Sequence, residues 1–243
     1  MRIRLTCFHC LDGSESWPVQ NAMADLDETG VYYLTCQQGH QLAFCLQNFK
    51  FELLFNLALQ AIHDGYYREA VSSFASALER FQEFYVEVLF DAAAIPRSAY
   101  DAAWKKVANT SERQMGAFLF MFASQEKTSP PGLTDEDAKF RNGVVHKGKF
   151  PTRDETIGFG QKVADIIGPT LDRLRQVHDT VIQDMRKRLL ASIQAKVVAP
   201  FEIFNLYQMT YISASSDANQ QRQPVRSQIE AIEKARFRCP TSR

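Results

Sequence analysis

Charge of one sign is missing from this sequence. Its 243 residues carry 28 lysines and arginines against 28 aspartates and glutamates, so net charge offers no argument for a nucleic-acid partner and any basic surface must be local. Long apolar runs are missing too. None approaches the roughly 20 residues that cross a bilayer, and the first residues, Met1 to Cys7, turn polar before the apolar stretch of a secretion signal develops. The chain is therefore expected in the cytoplasm, with no membrane partner. Also absent are a Gly-rich phosphate loop, a paired-carboxylate metal site and a serine nucleophile elbow, and there is no internal repeat. Cysteine is unevenly spread: Cys7, Cys10, Cys36 and Cys45 lie at one end and Cys239 at the other. In a reducing compartment such a cluster is not a disulfide framework and needs a local explanation. What is present, 45% hydrophobic and 23% charged residues, suits a soluble globular chain with a core of its own.

The pattern changes near residue 48. Before it, a polar, turn-rich stretch from Leu11 to Gly30 leads into Val31–Thr35, β-branched and aromatic, which reads as a strand. After it, apolar residues recur at three and four. Phe49, Leu53, Leu54, Leu57 and Ala61 form one stripe, and Ala70, Phe74, Ala77, Phe81, Tyr85 and Val88 form the clearest helix of the chain. A shorter helix follows Pro96, over Ser98–Val107. Ser111 with Gln114 reads as a capping box opening a helix over Glu112–Ser124. Thr134, followed by three carboxylates, starts another that ends at Lys147–Pro151. Thr152 or Asp154 caps a long one reaching about Gln194, which Gly168-Pro169 should kink. Val197–Ile212 has no clean period, Ser213–Pro224 reads as a polar linker, and Ser227–Phe237 as a short helix. The expected fold is mainly α: a small β module over 1–47, a helical bundle over 48–195, and a C-terminal extension over 196–243 whose structure is left open.

Cys7-x2-Cys10 and Cys36-x3-His40 form two knuckles. Each short spacing lets two soft ligands bend around one ion, and the strand between them brings the knuckles together. Zinc takes four such ligands in a tetrahedron, and a module this small would draw folding energy from the metal. The expected cofactor is thus a structural Zn2+ on Cys7, Cys10, Cys36 and His40. Cys45 or His9 remains open as the fourth ligand, and so does a plainer reading in which the cysteines are buried, reduced small hydrophobes. The module resembles a zinc ribbon, a likeness that covers about 45 residues and assigns no substrate.

The second constellation is Arg141-Asn142-x3-His146, which closes one helix and leaves through Lys147, Gly148 and Pro151. Histidine titrates near neutrality and can act as acid or base. Arginine stays charged and offers phosphate a planar fork. Cleavage of RNA through its 2′-hydroxyl needs both functions. Residues five apart on an ideal helix lie about 140° apart, so the pair converges poorly unless His146 sits on an unwinding last turn, which Gly148 permits. A plainer reading pairs Arg141 with Asp137 one turn back and makes His146 a partner of the helix dipole. The spacing recurs as Arg173–His178, mid-helix and without the asparagine or the glycine exit, and there it reads as a solvated face.

The first copy, with its helical surroundings over residues 48–190, resembles the HEPN superfamily, helical bundles many of which are ribonucleases. The resemblance implies a metal-independent endoribonuclease in bacterial anti-phage defence or toxin-like growth arrest. RNA would be the substrate, two copies of the motif would meet in a homodimer, and the protein antagonist or activator is unidentified. It implies Arg141 holding phosphate, His146 as acid or base and Asn142 orienting the site, with Glu79 on the preceding amphipathic helix and Lys147 as supporting groups. Gly148 stands where some toxin members carry a modifiable tyrosine. The competing readings are a non-catalytic interaction protein that binds nucleic acid or a protein, and a regulator whose ribbon recognises DNA.

Overall fold

The computed structural model describes residues 1–11, 20–215 and 222–237. The polar N-terminal stretch contains more strand than its composition announces. β1 (Arg2–Thr6) pairs antiparallel with β2 (Asn21–Asp25), and between them lies a single helical turn, α1 (Phe8–Leu11). β3 (Val31–Thr35), expected as a strand, pairs antiparallel with β4 (Gln41–Leu46). β4 is buried along Leu42–Leu46 because it is the central strand: on its other side runs β5 (Glu202–Leu206), parallel, with Phe44 opposite Phe204. Val31, Ala43, Cys45 and Ile193 form the core beneath this sheet, with Leu189, Leu190, Val197 and Phe201 packed against them.

Residues 1–48 and 183–209 therefore make one compact unit, and 49–182 with 210–243 make the other. The continuous spans expected from sequence, 1–47, 48–195 and 196–243, are corrected in this respect. The end of the long helix and β5 belong with the N-terminal strands. Val197–Ile212 shows no period because it holds a short edge strand rather than an amphipathic element.

The second unit is helical: α2 (Lys50–His63), α3 (Tyr67–Ala92), α4 (Arg97–Val107), α5 (Ser111–Glu126), α6 (Asp135–Lys147), the part of α7 (Arg153–Gln194) up to Ile182, and α8 (Val225–Phe237). α3 is the axis, packing against α2, α4, α5 and α6. Its apolar stripe meets α2 through aromatic rings, Phe55 against Phe74 at 4.9 Å and Phe51 against Phe81 at 5.4 Å. Each such ring buries enough apolar surface to contribute about 1.5–3 kcal/mol. The start of the expected linker, Ser213–Pro224, is not free: Ser213 and Ala214 are buried, as is Ile212 before them, and the amide of Ala214 donates to the buried carboxylate of Glu52 at 2.6 Å. Residues 216–221 of the expected linker lie outside the described residues, as does Cys239, and near its end Arg222 pairs with Asp172 at 2.6 Å.

Three local expectations change. The N-cap of α5 is Thr110, not Ser111, and Gln114 is no capping partner; it is buried, accepting from Arg80 at 2.7 Å and donating to the carbonyl of Ala108. The break in α7 falls at His178 (φ −129°, ψ 28°), whereas Pro169 sits inside continuous helix. Thr152 caps α7 in a reciprocal box, its hydroxyl accepting from the Glu155 amide while Glu155 accepts from the Thr152 amide. No helix among the described residues is long and apolar enough to cross a membrane.

Candidate functional site

Two sites are built from the sequence motifs, one in each unit. In the first, β1 delivers Cys7 and the turn of α1 winds Cys10 back beside it. β3 and β4 end in a tight turn in which the Cys36 amide donates to the His40 carbonyl (3.1 Å) and the Gly39 amide to the Cys36 carbonyl (2.9 Å). Gly39 has φ +84°, a left-handed conformation that costs glycine little. Gln20 joins the knuckles: its carbonyl accepts from the Cys7 amide (2.9 Å) and its side-chain oxygen from the Gln37 amide (2.8 Å).

The ligand atoms of Cys7, Cys10, Cys36 and His40 all lie within 4.8 Å of one another. Cys10 and Cys36 sulfurs are 3.8 Å apart, and His40 Nδ1 is 3.6, 3.7 and 3.3 Å from the sulfurs of Cys7, Cys10 and Cys36. Tetrahedral coordination with metal–sulfur bonds of about 2.3 Å and metal–nitrogen bonds of about 2.0 Å requires edges of about 3.8 and 3.5 Å. The donor set thus fits a metal such as zinc, with all four corners filled by protein. Burial, then the neighbouring thiols of Cys7 and Cys36, pushes the Cys10 thiol up to about 12. Burial would raise Cys36 as well, but the amides of His40 and Gln38 and the thiols of Cys10 and Cys7 outweigh it and hold Cys36 at about 7. Three thiols crowded without a cation resist sharing negative charge, and a bound dication relieves that.

Neither alternative fourth ligand joins the cluster. Cys45 lies in the core under β4, its thiol raised by burial alone. His9 turns to Glu202 on β5, Nε2 to carboxylate oxygen at 2.7 Å. Its neighbour Phe8 packs on Phe204 at 5.3 Å, so the residues between Cys7 and Cys10 clamp β5. Sequence reading missed this because the partners are separated by almost the whole chain.

In the second unit, α6 starts in a box between Thr134 and Asp137. Asp137 also pairs with Lys162 of α7, not with Arg141. Burial would raise the Asp137 carboxyl; Lys162 and Thr134 outweigh it and hold it below the usual range. Arg141 instead faces Glu79 on α3, Nη2 to Oε1 at 3.9 Å, and its Nε is buried with no hydrogen-bond partner. Asn142, His146 and Lys147 are exposed. α6 ends at Gly148 (φ +71°), where the Lys149 amide returns to the Gly143 carbonyl at 3.0 Å. Arg68, in the first turn of α3, donates to the carbonyls of Val144 and Val145, both at 3.3 Å. Nothing in the sequence signals this cap, which joins residues more than 70 positions apart.

His146 thus sits on an intact last turn, not an unwound one, and Arg141 and His146 are not hydrogen-bonded to each other. The second copy of the spacing differs from its expected mid-helix setting. His178 is the broken residue of α7, its Nε2 3.4 Å from Gln125, while Arg173 pairs with Glu126 at 3.2 Å. Burial lowers the His178 imidazole against the pull of Glu126. Its arginine is therefore engaged, whereas Arg141 keeps a donor in reserve. No protein-family model, curated protein or solved structure matches this chain.

Proposed function

We propose that the chain is a metal-independent endoribonuclease of the HEPN type, with a structural zinc ion in its N-terminal unit. The observation that carries the reading is the state of Arg141. Its guanidinium is held beside Glu79 at a distance too long for a strong hydrogen bond, with one buried nitrogen unpartnered. Buried donors are nearly always satisfied, and an exception calls for an explanation. A phosphate drawing the side chain into a new geometry supplies one. Arg141 would stabilise the charge that develops on phosphorus, and His146 would move the proton of the 2′-hydroxyl or of the leaving oxygen. Asn142 would orient the phosphate, with Glu79 and Lys147 in support.

One copy of the site is sparse. Arg141 and His146 lie about 140° apart on a regular helix, so a homodimer in which the two segments meet would complement each with the other's groups. α5 leaves Met115 and Phe120 exposed, apolar surface that a second copy would cover. The same angular separation favours the alternative, a non-catalytic protein binding nucleic acid or a protein partner. Incubating wild type and His146→Ala with total cellular RNA, with no divalent ion added, and mapping the new termini decides between them. Cleavage by wild type alone supports the nuclease; equal, negligible cleavage by both supports the binding protein. The role in bacterial defence or growth arrest rests on resemblance alone.

A further inference from the structure

The turn that leaves α6 immobilises its own backbone and leaves one large ring uncovered. Gly148 and the Lys149-to-Gly143 bond fix its start. Lys149 is stitched down twice, its ammonium 2.8 Å from Glu155 and 4.8 Å from the centre of the Phe140 ring. Pro151 is buried, and Thr152 is locked in the N-terminal box of α7. Between these anchors Phe150 is 86% exposed and packs against no other ring among the described residues. Single exposed apolar side chains are ordinary on protein surfaces. A phenylalanine whose neighbours on both sides are held while its ring covers nothing is less so, because its exposure is a fixed feature of the fold. Lys147, three residues earlier in the chain, is exposed and has no ion pair among the described residues. An exposed aromatic face with a free cation three residues away along the chain suits single-stranded nucleic acid, with the base on the ring and the phosphate on the cation.

We propose that Phe150 is a stacking platform for a nucleobase of single-stranded RNA, seating the strand against the Arg141–His146 segment. This rests on the nuclease reading for its location, but it is a statement about binding and is tested by binding. Phe150 is a positioning residue: it takes no part in proton transfer and restricts the substrate to strands whose bases are free to unstack. A duplex offers its ring no face.

The test uses the full chain with its metal, a labelled 12-nucleotide single strand and the matching duplex. Wild type should prefer the single strand. Phe150→Ala should weaken that binding about tenfold, within the range for loss of one stacked base, with an unchanged melting temperature because the residue is almost fully exposed. Phe150→Tyr should restore it, a rescue that a merely structural role would not require. In Phe150→Trp, the fluorescence of the introduced indole should be quenched by the single strand and not by the duplex. If wild type binds the single strand and Phe150→Ala binds it equally well, the platform is refuted and the nuclease reading stands. If binding depends on Phe150 but no cleavage is found, the platform stands and the nuclease reading fails. If wild type binds no RNA, both fail; a requirement for Phe150 in capturing a protein partner instead would assign the ring to that interface.

Discussion

The two candidate sites differ in how their residues are brought together. In the N-terminal unit, four ligands come from two short knuckles, and their convergence follows from spacing plus one antiparallel strand pair. In the helical unit, Arg141 and His146 are close in sequence yet do not converge. What supports them, Glu79 and Arg68 on α3, comes from far away in the chain. The four-ligand cluster is complete within one chain, whereas at the helix end Arg141 keeps an unpartnered nitrogen and His146 and Lys147 are exposed. The first pattern suits a structural element, and the second is the one on which the proposed RNA site rests.

The largest expected effect lies in the metal site. Elemental analysis of freshly purified protein should find one zinc per chain, and Cys36→Ser should lose it and unfold the N-terminal unit. The binding free energy of structural zinc in small modules is on the order of 10 kcal/mol. Cys45→Ser and His9→Ala should each retain the metal. Loss of zinc in either, with retention in His40→Ala, would overturn the ligand set and with it the contrast between a complete and an incomplete site.

Next comes the helix-end pair. His146→Ala and Arg141→Ala should each reduce RNA cleavage by about 100- to 10,000-fold, the usual cost of losing a proton-transfer group or a comparable stabiliser of charge. Melting temperatures should barely move, because His146 is exposed and the Arg141–Glu79 separation is too long for a strong ion pair. The double variant should be no worse than the worse single one. Arg173→Ala with His178→Ala is the matched control, now a sharper one because His178 also sits at a helix break. Loss of cleavage only in the control pair would show that the other copy is the site.

How legible these sites were follows from the same contrast. The knuckles, the strand Val31–Thr35 and most helices of the bundle could be read because period and spacing are local properties. β1 and β2 were hidden in polar sequence, since a two-stranded ribbon with an exposed face needs few apolar residues; Asn21–Asp25 buries no side chain fully. β5 was hidden because its pairing partner β4 lies some 160 positions earlier. Gln114 misled by chemistry: a glutamine three residues after a serine matches a capping box, but its amide serves Arg80 and the Ala108 carbonyl instead. The unpartnered nitrogen of Arg141 and the bare ring of Phe150 are properties of packing, which no spacing records.

A smaller effect is expected at Arg68. Its guanidinium caps the last carbonyls of α6, whose partial negative charge it also offsets. Arg68→Ala should cost about 1 kcal/mol, the scale of a lost helix cap. Amide exchange should accelerate over Val145–Lys149 and not over the start of α6. Cleavage should fall by less than in His146→Ala. An unchanged exchange pattern would mean that Gly148 holds the last turn by itself.

The smallest effect distinguishes the two ends of α6. Lys162 and Thr134 hold the Asp137 carboxyl below its ordinary range despite burial, so its folded-state pKa lies below the unfolded value of about 3.9. A carboxylate depressed on folding contributes stability that is fully present above the unfolded pKa and is lost as pH falls through the folded one. Asp137→Asn should therefore be less stable than wild type at neutral pH, and the deficit should shrink as pH falls below about 4. Denaturant titrations of both proteins at pH 7 and below pH 4 measure this directly. His146, at the other end, is exposed, so His146→Ala should leave stability almost unchanged while altering the pH dependence of cleavage. If Asp137→Asn instead shifts the pH profile of cleavage near neutrality, the acid end of α6 acts on the chemistry, and the assignment of proton transfer to His146 alone is wrong.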